Sequence, residues 1–297
     1  MHLTTEQAWD KNLIRRLAEQ VVPEPISSLD KLPGGGCHNY EINRHIILKL
    51  PMTDSIRAEW MRQADVTPVL QTKLSVDIPH IHAGTLTMPN GGQVISVRYE
   101  KISGASVPPC FFEKQTRAFK VKVFEQLADV MIELHRIRPD SLLVQIPGYD
   151  SPFSPFYHGM TYKRQVLHGF ILNQLNSSAK SDQDVLCHSD LHSDNLCLNG
   201  TRLKGILDFD LMIRGRPETE FRPNLYSVSD MKLWADIYSH RSGRQVNSDK
   251  IRQMQYLWIA ARSALKLYRT VYPARVCAGL SRARMIHRLQ KEWALMR

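Results

Sequence analysis

The 297-residue chain has no apolar run of the about 18–20 residues that a bilayer span requires. Its five cysteines are odd in number and widely spaced, and none form a C-x-x-C pair. That argues against a disulfide framework and against paired-cysteine metal sites. The first twenty residues, "MHLTTEQAWDKNLIRRLAEQ", lack the basic start and apolar core of a secretory signal. They read instead as an amphipathic helix capped by Thr4 or Thr5. A reduced, cytoplasmic protein is expected. There is neither an internal repeat nor a low-complexity segment, so a repeat architecture is not expected.

Acidic residues are in short supply: 29 Asp and Glu face 39 Lys and Arg, for a net charge of +10. Much of the excess sits at the end, where Arg269, Arg275, Arg282, Arg284, Arg288, Lys291 and Arg297 face only Glu292. Such a cluster suits an anionic surface, either nucleic acid or an acidic membrane. No nucleic-acid motif or aromatic interleaving accompanies it, and the solvated face of a terminal helix is the simpler reading.

The apolar pattern divides the chain. Short strands read through residues 26–50, in "ISSLDKL", "NYEIN" and "HIILKL", with a glycine turn among them. A helix is predicted over 54–70, ending near Pro68. Residues 79–86 and 93–102 read as a hairpin closed by "PNGG". After "SGASVPP" the period becomes helical, with Phe119, Val123, Leu127, Val130 and Leu134 on one face. Further helices are predicted over 160–176 and through most of 228–297. The chain is therefore α+β, with a β-rich part at 1–102 and a mostly helical part at 103–297.

The chemistry concentrates in "CHSDLHSDNLCLNG", residues 187–200. His188 and His192 stand four apart, the spacing of zinc-protease ligands on a helix. Ser189 occupies the place of the required glutamate, and the stretch is too rich in Ser, Asp and Asn to be helical. Phosphoryl transfer fits better. His188-x-Asp190-x(4)-Asn195 is followed, 13 residues after Asn195, by Asp208 at the end of the strand "GILDF". That chemistry needs one carboxylate to orient the attacking hydroxyl. It needs an amide oxygen and a second carboxylate to hold magnesium against the phosphates. The turn "LNGTRLKG" brings Asn195 and Asp208 together across a hairpin.

The stretch "HSDLHSDNLCL…GILDFD" resembles the catalytic core of the aminoglycoside phosphotransferase and choline kinase family, whose loop commonly reads H-G-D-L-H-x-x-N before a strand ending I-D-[FW]. The resemblance implies a protein-kinase-like fold of two lobes, 1–102 binding the nucleotide and 103–297 carrying catalysis and substrate. It implies Asp190 as the base and His192 beside it, orienting Asp190 or approaching the phosphates. It implies Asn195 and Asp208 as ligands of Mg2+, and His188 as a backbone-bonding residue. It departs from the pattern further on. Where members often read G-D-P-x-x-D-L, Arg216 and Glu220 replace the two aspartates.

The first half supports the same reading. A kinase-like site needs a lysine on the third strand and a glutamate on the next helix. Lys49 ends "HIILK" and Glu59 lies ten residues later. Gly34, Gly35 and Gly36 stand where a loop would cover the phosphates. Backbone from Glu100 to Ile102 would then meet the purine, with Tyr99 beside it or in the core. The donor would be ATP or GTP. The acceptor would be a hydroxyl-bearing small molecule: an aminoglycoside or other antibiotic, an amino alcohol or a sugar. Asp230, Asp236, Tyr226, Trp234, Tyr238, Tyr256 and Trp258 could line its site, although aromatic residues at helical spacing more often form core. A protein-directed kinase and a non-catalytic kinase-like binding module are the alternatives.

Overall fold

The computed structural model describes residues 10–33, 37–52, 56–108, 111–142, 144–146, 185–221, 228–246 and 251. The Gly34–Gly36 turn, the helix predicted over 160–176 and the basic C-terminal run lie outside these residues. So do Tyr226, Tyr256 and Trp258. All the described residues except Ile251 belong to one compact unit.

The first helix, α1 (Lys11–Ala18), starts at Asp10, whose carboxylate accepts the Leu13 N–H at 2.7 Å. Asp10 therefore caps the described helix, and Thr4 and Thr5 lie outside the described residues. Next come β1 (Leu29–Leu32), β2 (Cys37–Ile42) and β3 (Ile46–Pro51). Helix α2 (Arg57–Gln71) leads to β4 (His82–Thr87) and β5 (Gln93–Glu100). These strands form one antiparallel sheet in the order β1-β2-β3-β5-β4. The β4–β5 turn follows the "PNGG" expectation, with Gly91 at φ 79°. Helix α2 ends at Gln71, within one residue of the predicted 54–70. Pro68 sits in its last turn, where few backbone hydrogen bonds depend on it, and the fully buried Leu70 keeps that turn packed.

Strand β3 is buried on both faces, as the central strand of a covered sheet should be. Alternation sends Ile46, Leu48 and Leu50 into a core with Leu13, Ile14 and Leu17 of α1. Ile47 faces the other way, into a core with Trp60 of α2, Val97 and Tyr99. Lys49 shares the face of Ile47, so the period of two alone places its ammonium on the α2 side.

Beyond the sheet, β6 (Ala105–Ser106) pairs with β8 (Leu196–Asn199), which forms a hairpin with β9 (Arg202–Ile206). Helix α3 (Arg117–Arg136) is capped by Thr116, and α4 (Val228–Ser242) packs against it. A short pair, β7 (Val185–Cys187) with β10 (Ile213–Gly215), brackets the polar loop. The segment between α2 and β4 crosses to the hairpin at one point. Asp77 N–H donates to Lys204 O at 2.9 Å, and Ile206 N–H donates to Asp77 O at 3.1 Å. Gly205 permits this approach, because a Cβ there would lie 2.6 Å from Asp77 O.

Candidate active site

Lys49 reaches Asp208, its Nζ donating to Oδ1 at 2.7 Å. Burial alone would lower the pKa of this ammonium, but the charge of Asp208, helped by Tyr99 and Asp210, lifts it well above the ordinary lysine value. The same ammonium lies 5.8 Å from the centre of the Tyr99 ring. Burial in turn pushes the Tyr99 hydroxyl up to about 12. Glu59 lies on α2, only 3% exposed, and its charge is felt by Arg62 and Asp210. Glu100 ends β5 opposite Ile46, the Lys101 N–H donates to His45 O, and Ile102 is buried close to Gly205.

Asp208 follows β9 in a left-handed conformation, φ 65° and ψ 60°. That backbone starts a turn of 3-10 helix through Phe209, Asp210 and Leu211. The hairpin joins its two ends here, because Leu207 N–H donates to Asn195 O at 2.8 Å. The Asn195 amide nitrogen donates to the Asp190 carbonyl at 2.9 Å and faces an Asp190 carboxylate oxygen at 3.4 Å. That leaves the Asn195 amide oxygen as the side-chain atom suited to a cation. The His192 Nε2 lies 3.5 Å from Asp190 Oδ2, and its Nδ1 lies 4.0 Å from Asp194. Burial works to lower the His192 pKa, but the hydrogen bond and charge of Asp190 outweigh it, with Asp194 and Asp208 adding to them, and the imidazole stands above its ordinary value.

Asp210 is a residue that sequence reasoning passed over. Its carboxyl is pushed well above the ordinary range, first by burial and then by the charge of Asp208, with Lys49 opposing and Asp190 and Glu59 adding to the rise. The adjacency "DFD" was the available signal. Carboxylates at 208 and 210 beside Lys49, with Asp190 acting on Asp210 and the Asn195 amide next to Asp190, make a set of hard oxygen donors. Such a set suits Mg2+.

The histidines do not form a zinc pair. His188 is fully buried, and its Nε2–H donates to Leu207 O at 2.8 Å while its Nδ1 accepts the Asp190 N–H at 3.2 Å. Both ring nitrogens are engaged with backbone, and the ring lies 4.4 Å from that of Phe209. Ser189 stands where a glycine is commonly found and adopts φ 63°. Its hydroxyl donates to Leu211 O, and its N–H donates to Glu220 Oε2 at 2.8 Å. The His188 N–H donates to the other oxygen of Glu220 at 2.7 Å. Glu220 therefore does more than stand in for an aspartate: its two oxygens hold the loop backbone.

The acidic residues of α4 expected near an aminated acceptor are engaged elsewhere. Asp230 is 3% exposed and accepts from Lys120 at 2.7 Å, and Asp236 pairs with Lys232 one turn away. Trp234 and Tyr238 are fully buried, so the core reading holds for both.

An antiparallel five-stranded sheet with one inserted helix, followed by a helical part that carries H-x-D, N and D on adjoining turns, is the protein-kinase-like arrangement. The chain belongs to the phosphotransferase enzyme family, whose model matches residues 31–252. By its family it is a phosphotransferase. Among solved structures it is similar to the GDP and kanamycin complex of APH(2")-IIIa, at 17% identity over 95% of this chain and 98% of that one, with a TM-score of 0.66. The gentamicin complex of APH(2")-IIa is 19% identical over 84% of this chain and 86% of that one, at 0.59. Macrolide 2'-phosphotransferase MphH from Brachybacterium faecium is 13% identical over 89% and 95%, at 0.56. At these identities the likeness shows the fold. No curated protein matches the sequence.

Proposed function

We propose that the chain moves the γ-phosphate of ATP or GTP to a hydroxyl of a small molecule, with residues 1–102 holding the nucleotide and 103–297 the acceptor. The observation that carries this is the convergence of Lys49, Asp190, Asn195 and Asp208, drawn from β3, the loop after β7 and the end of β9. Lys49, now on Asp208, would turn to the phosphates, and Glu59 on the neighbouring helix would hold it. Gly34, Gly35 and Gly36 would cover the phosphates from above. Backbone from Glu100 to Ile102 would face the purine.

Asp190 orients the acceptor hydroxyl and accepts its proton as the oxygen attacks the γ-phosphorus, whose bond to the bridging oxygen breaks to release the nucleoside diphosphate. His192 beside it holds the carboxylate in place. Asn195 and Asp208 would hold Mg2+, which when bound neutralises the charge that grows on the phosphate oxygens. Because similar folds include aminoglycoside and macrolide phosphotransferases, antibiotics head the candidate acceptors. Amino alcohols and sugars remain in the class.

The test is magnesium-dependent phosphate transfer, with ATP and GTP separately, across aminoglycosides, macrolides, choline, ethanolamine, homoserine and simple sugars. Asp190→Asn serves as control, and its kcat should fall by about 100- to 10,000-fold. One acceptor strongly stimulated by the wild type and silent in the variant establishes the reaction. Failure to bind either nucleotide would refute it.

A further inference from the structure

His80 and His82 stand two apart where the chain enters β4, an outer strand of the sheet. Residues two apart in extended chain share a face. Ile81 between them is buried in the core with Trp60, and both imidazoles are exposed. Their ring centres lie 4.6 Å apart, with the planes tilted by 60°. Two imidazoles on one ion, through N–metal bonds of about 2.0–2.1 Å at about 90–110°, would hold their ring centres about 4.5–5.2 Å apart. The observed separation falls in that range.

The proton on His80 is placed by hydrogen bonds that start in α2. Gln71, its last residue, donates its Nε2 to Ile78 O at 2.9 Å. That bond fixes the amide, since the reverse orientation would set oxygen against oxygen. Gln71 Oε1 then faces His80 Nδ1 at 3.3 Å, and an amide oxygen can only accept. Nδ1 therefore carries the proton and Nε2 the lone pair. Metal-ligating histidines are oriented in this way, by donating from the other ring nitrogen to a fixed acceptor. His82 pairs across the strands with Arg98. Desolvation, then Arg98 and His80, hold its imidazole below the ordinary 6.5, against the charge of Glu100. Its lone pair is thus free at neutral pH, and Glu100 sets a negative charge near the pair.

Among the described residues, His135, Cys187 and Glu220 are gathered closely enough to suggest a second such site. Their atoms are taken. Both Glu220 oxygens accept backbone N–H bonds, and the Cys187 thiol donates to Arg216 O at 3.4 Å. His135 of α3 has Nδ1 2.7 Å from the Tyr238 hydroxyl of α4 and Nε2 3.5 Å from Glu220 Oε1.

We propose that His80 and His82 form a two-imidazole site for a divalent transition-metal ion of the Zn2+ type, with water filling the remaining positions. Imidazole suits such ions, whereas Mg2+ takes oxygen ligands. The site uses none of the residues gathered around Asp208, and it goes beyond the phosphotransfer reading. A bound ion would tie the segment after α2 to β4, because His80 hangs on Gln71 and His82 is paired into the sheet.

The experiment takes the full-length chain without an affinity tag, stripped with EDTA and dialysed. Isothermal titration reads Zn2+ binding, and diethylpyrocarbonate modification mapped by mass spectrometry reads its place. Zn2+ at about ten times its Kd should slow modification of His80 and His82 about tenfold by mass action, while the exposed His45 keeps its rate. Mg2+ should protect neither. Gln71→Leu removes the acceptor and should weaken Zn2+ binding about tenfold. His80→Ala and His82→Ala remove a ligand each and should weaken it further. All three side chains are exposed, so the variants should fold. Zn2+ should raise the melting temperature of the wild type and not that of His82→Ala. An affinity that His82→Ala leaves unchanged overturns the proposal. So does protection at His80 and His82 no greater than at His45, and so does a wild type that takes up no Zn2+. None of these readouts depends on nucleotide turnover.

Discussion

The Lys49 ammonium donates to the Asp208 carboxylate at 2.7 Å, joining residues 159 positions apart. The contact ties the centre of the sheet to the turn that carries the candidate magnesium ligand. Lys49→Met leaves Asp208 facing Asp210 and Asp190 without its cation. Breaking a fully buried pair costs about 3–5 kcal/mol. The Asp208 side chain is 30% exposed, so a loss of about 1–3 kcal/mol is expected here. Urea denaturation without nucleotide reads this loss, and nucleotide titration should show weakened binding. Unchanged stability would mean that the pair is incidental.

Asp208→Asn keeps the shape and removes the charge. Nucleotide affinity should fall about tenfold or more in the presence of magnesium, equal to about 1.4 kcal/mol. In EDTA the difference between variant and wild type should shrink. Isothermal titration with and without magnesium separates the two conditions. An equal loss in both would remove Asp208 from the metal site.

These long-range pairings mark the limit of what the sequence discloses. Turn chemistry is local, so "PNGG" and "LNG" announced both hairpins. The alternation of "HIILK" was enough to put Lys49 on the α2 side. H-x-D-x(4)-N was legible because one loop contains all of it. The partner of a buried charge is not local. Nothing near Asp230 in the chain points to Lys120, 110 residues away, and it read as a possible substrate ligand. His135 carried no signal of its own, and Glu220 read only as a replacement for an aspartate. Their roles depend on which helices meet, which periodicity does not specify.

Replacing Ser189 separates strain from bonding. Ser189→Gly removes the cost of the left-handed backbone while losing the bond to Leu211 O, and the two effects, each about 1 kcal/mol, nearly cancel. Ser189→Ala loses the bond and keeps the strain, for a net cost of about 1 kcal/mol. Ser189→Val adds a β-branched side chain where φ is positive and should cost more than either. Melting temperatures should fall in the order Gly, Ala, Val. A glycine variant less stable than the valine variant would contradict the backbone assignment.

Acid should weaken the fold in two stages. Burial pushes the His188 imidazole below its ordinary 6.5, against the opposing charge of Glu220 and the bond to Leu207. For Glu220, burial works to raise the pKa, but His135, His188 and the Ser189 N–H hold it below its ordinary 4.5. In both cases the unfolded chain binds a proton that the folded chain does not, so stability rises with pH. The His188 contribution is complete above about pH 6.5 and is lost as pH falls toward its lower folded value. The Glu220 contribution is complete above about pH 4.5 and is lost below it. Urea midpoints measured from about pH 7 down to 3.5 should decline throughout, and Glu220→Gln should flatten the lower part. A wild-type midpoint constant over that range would refute both assignments.

The crossing at Asp77 and Gly205 is made by backbone alone. No ionisable side chain takes part in it, so acid and salt, which both act on the Lys49–Asp208 pair, leave this seam untouched. Its one vulnerability is bulk: any side chain at 205 would wedge the seam open.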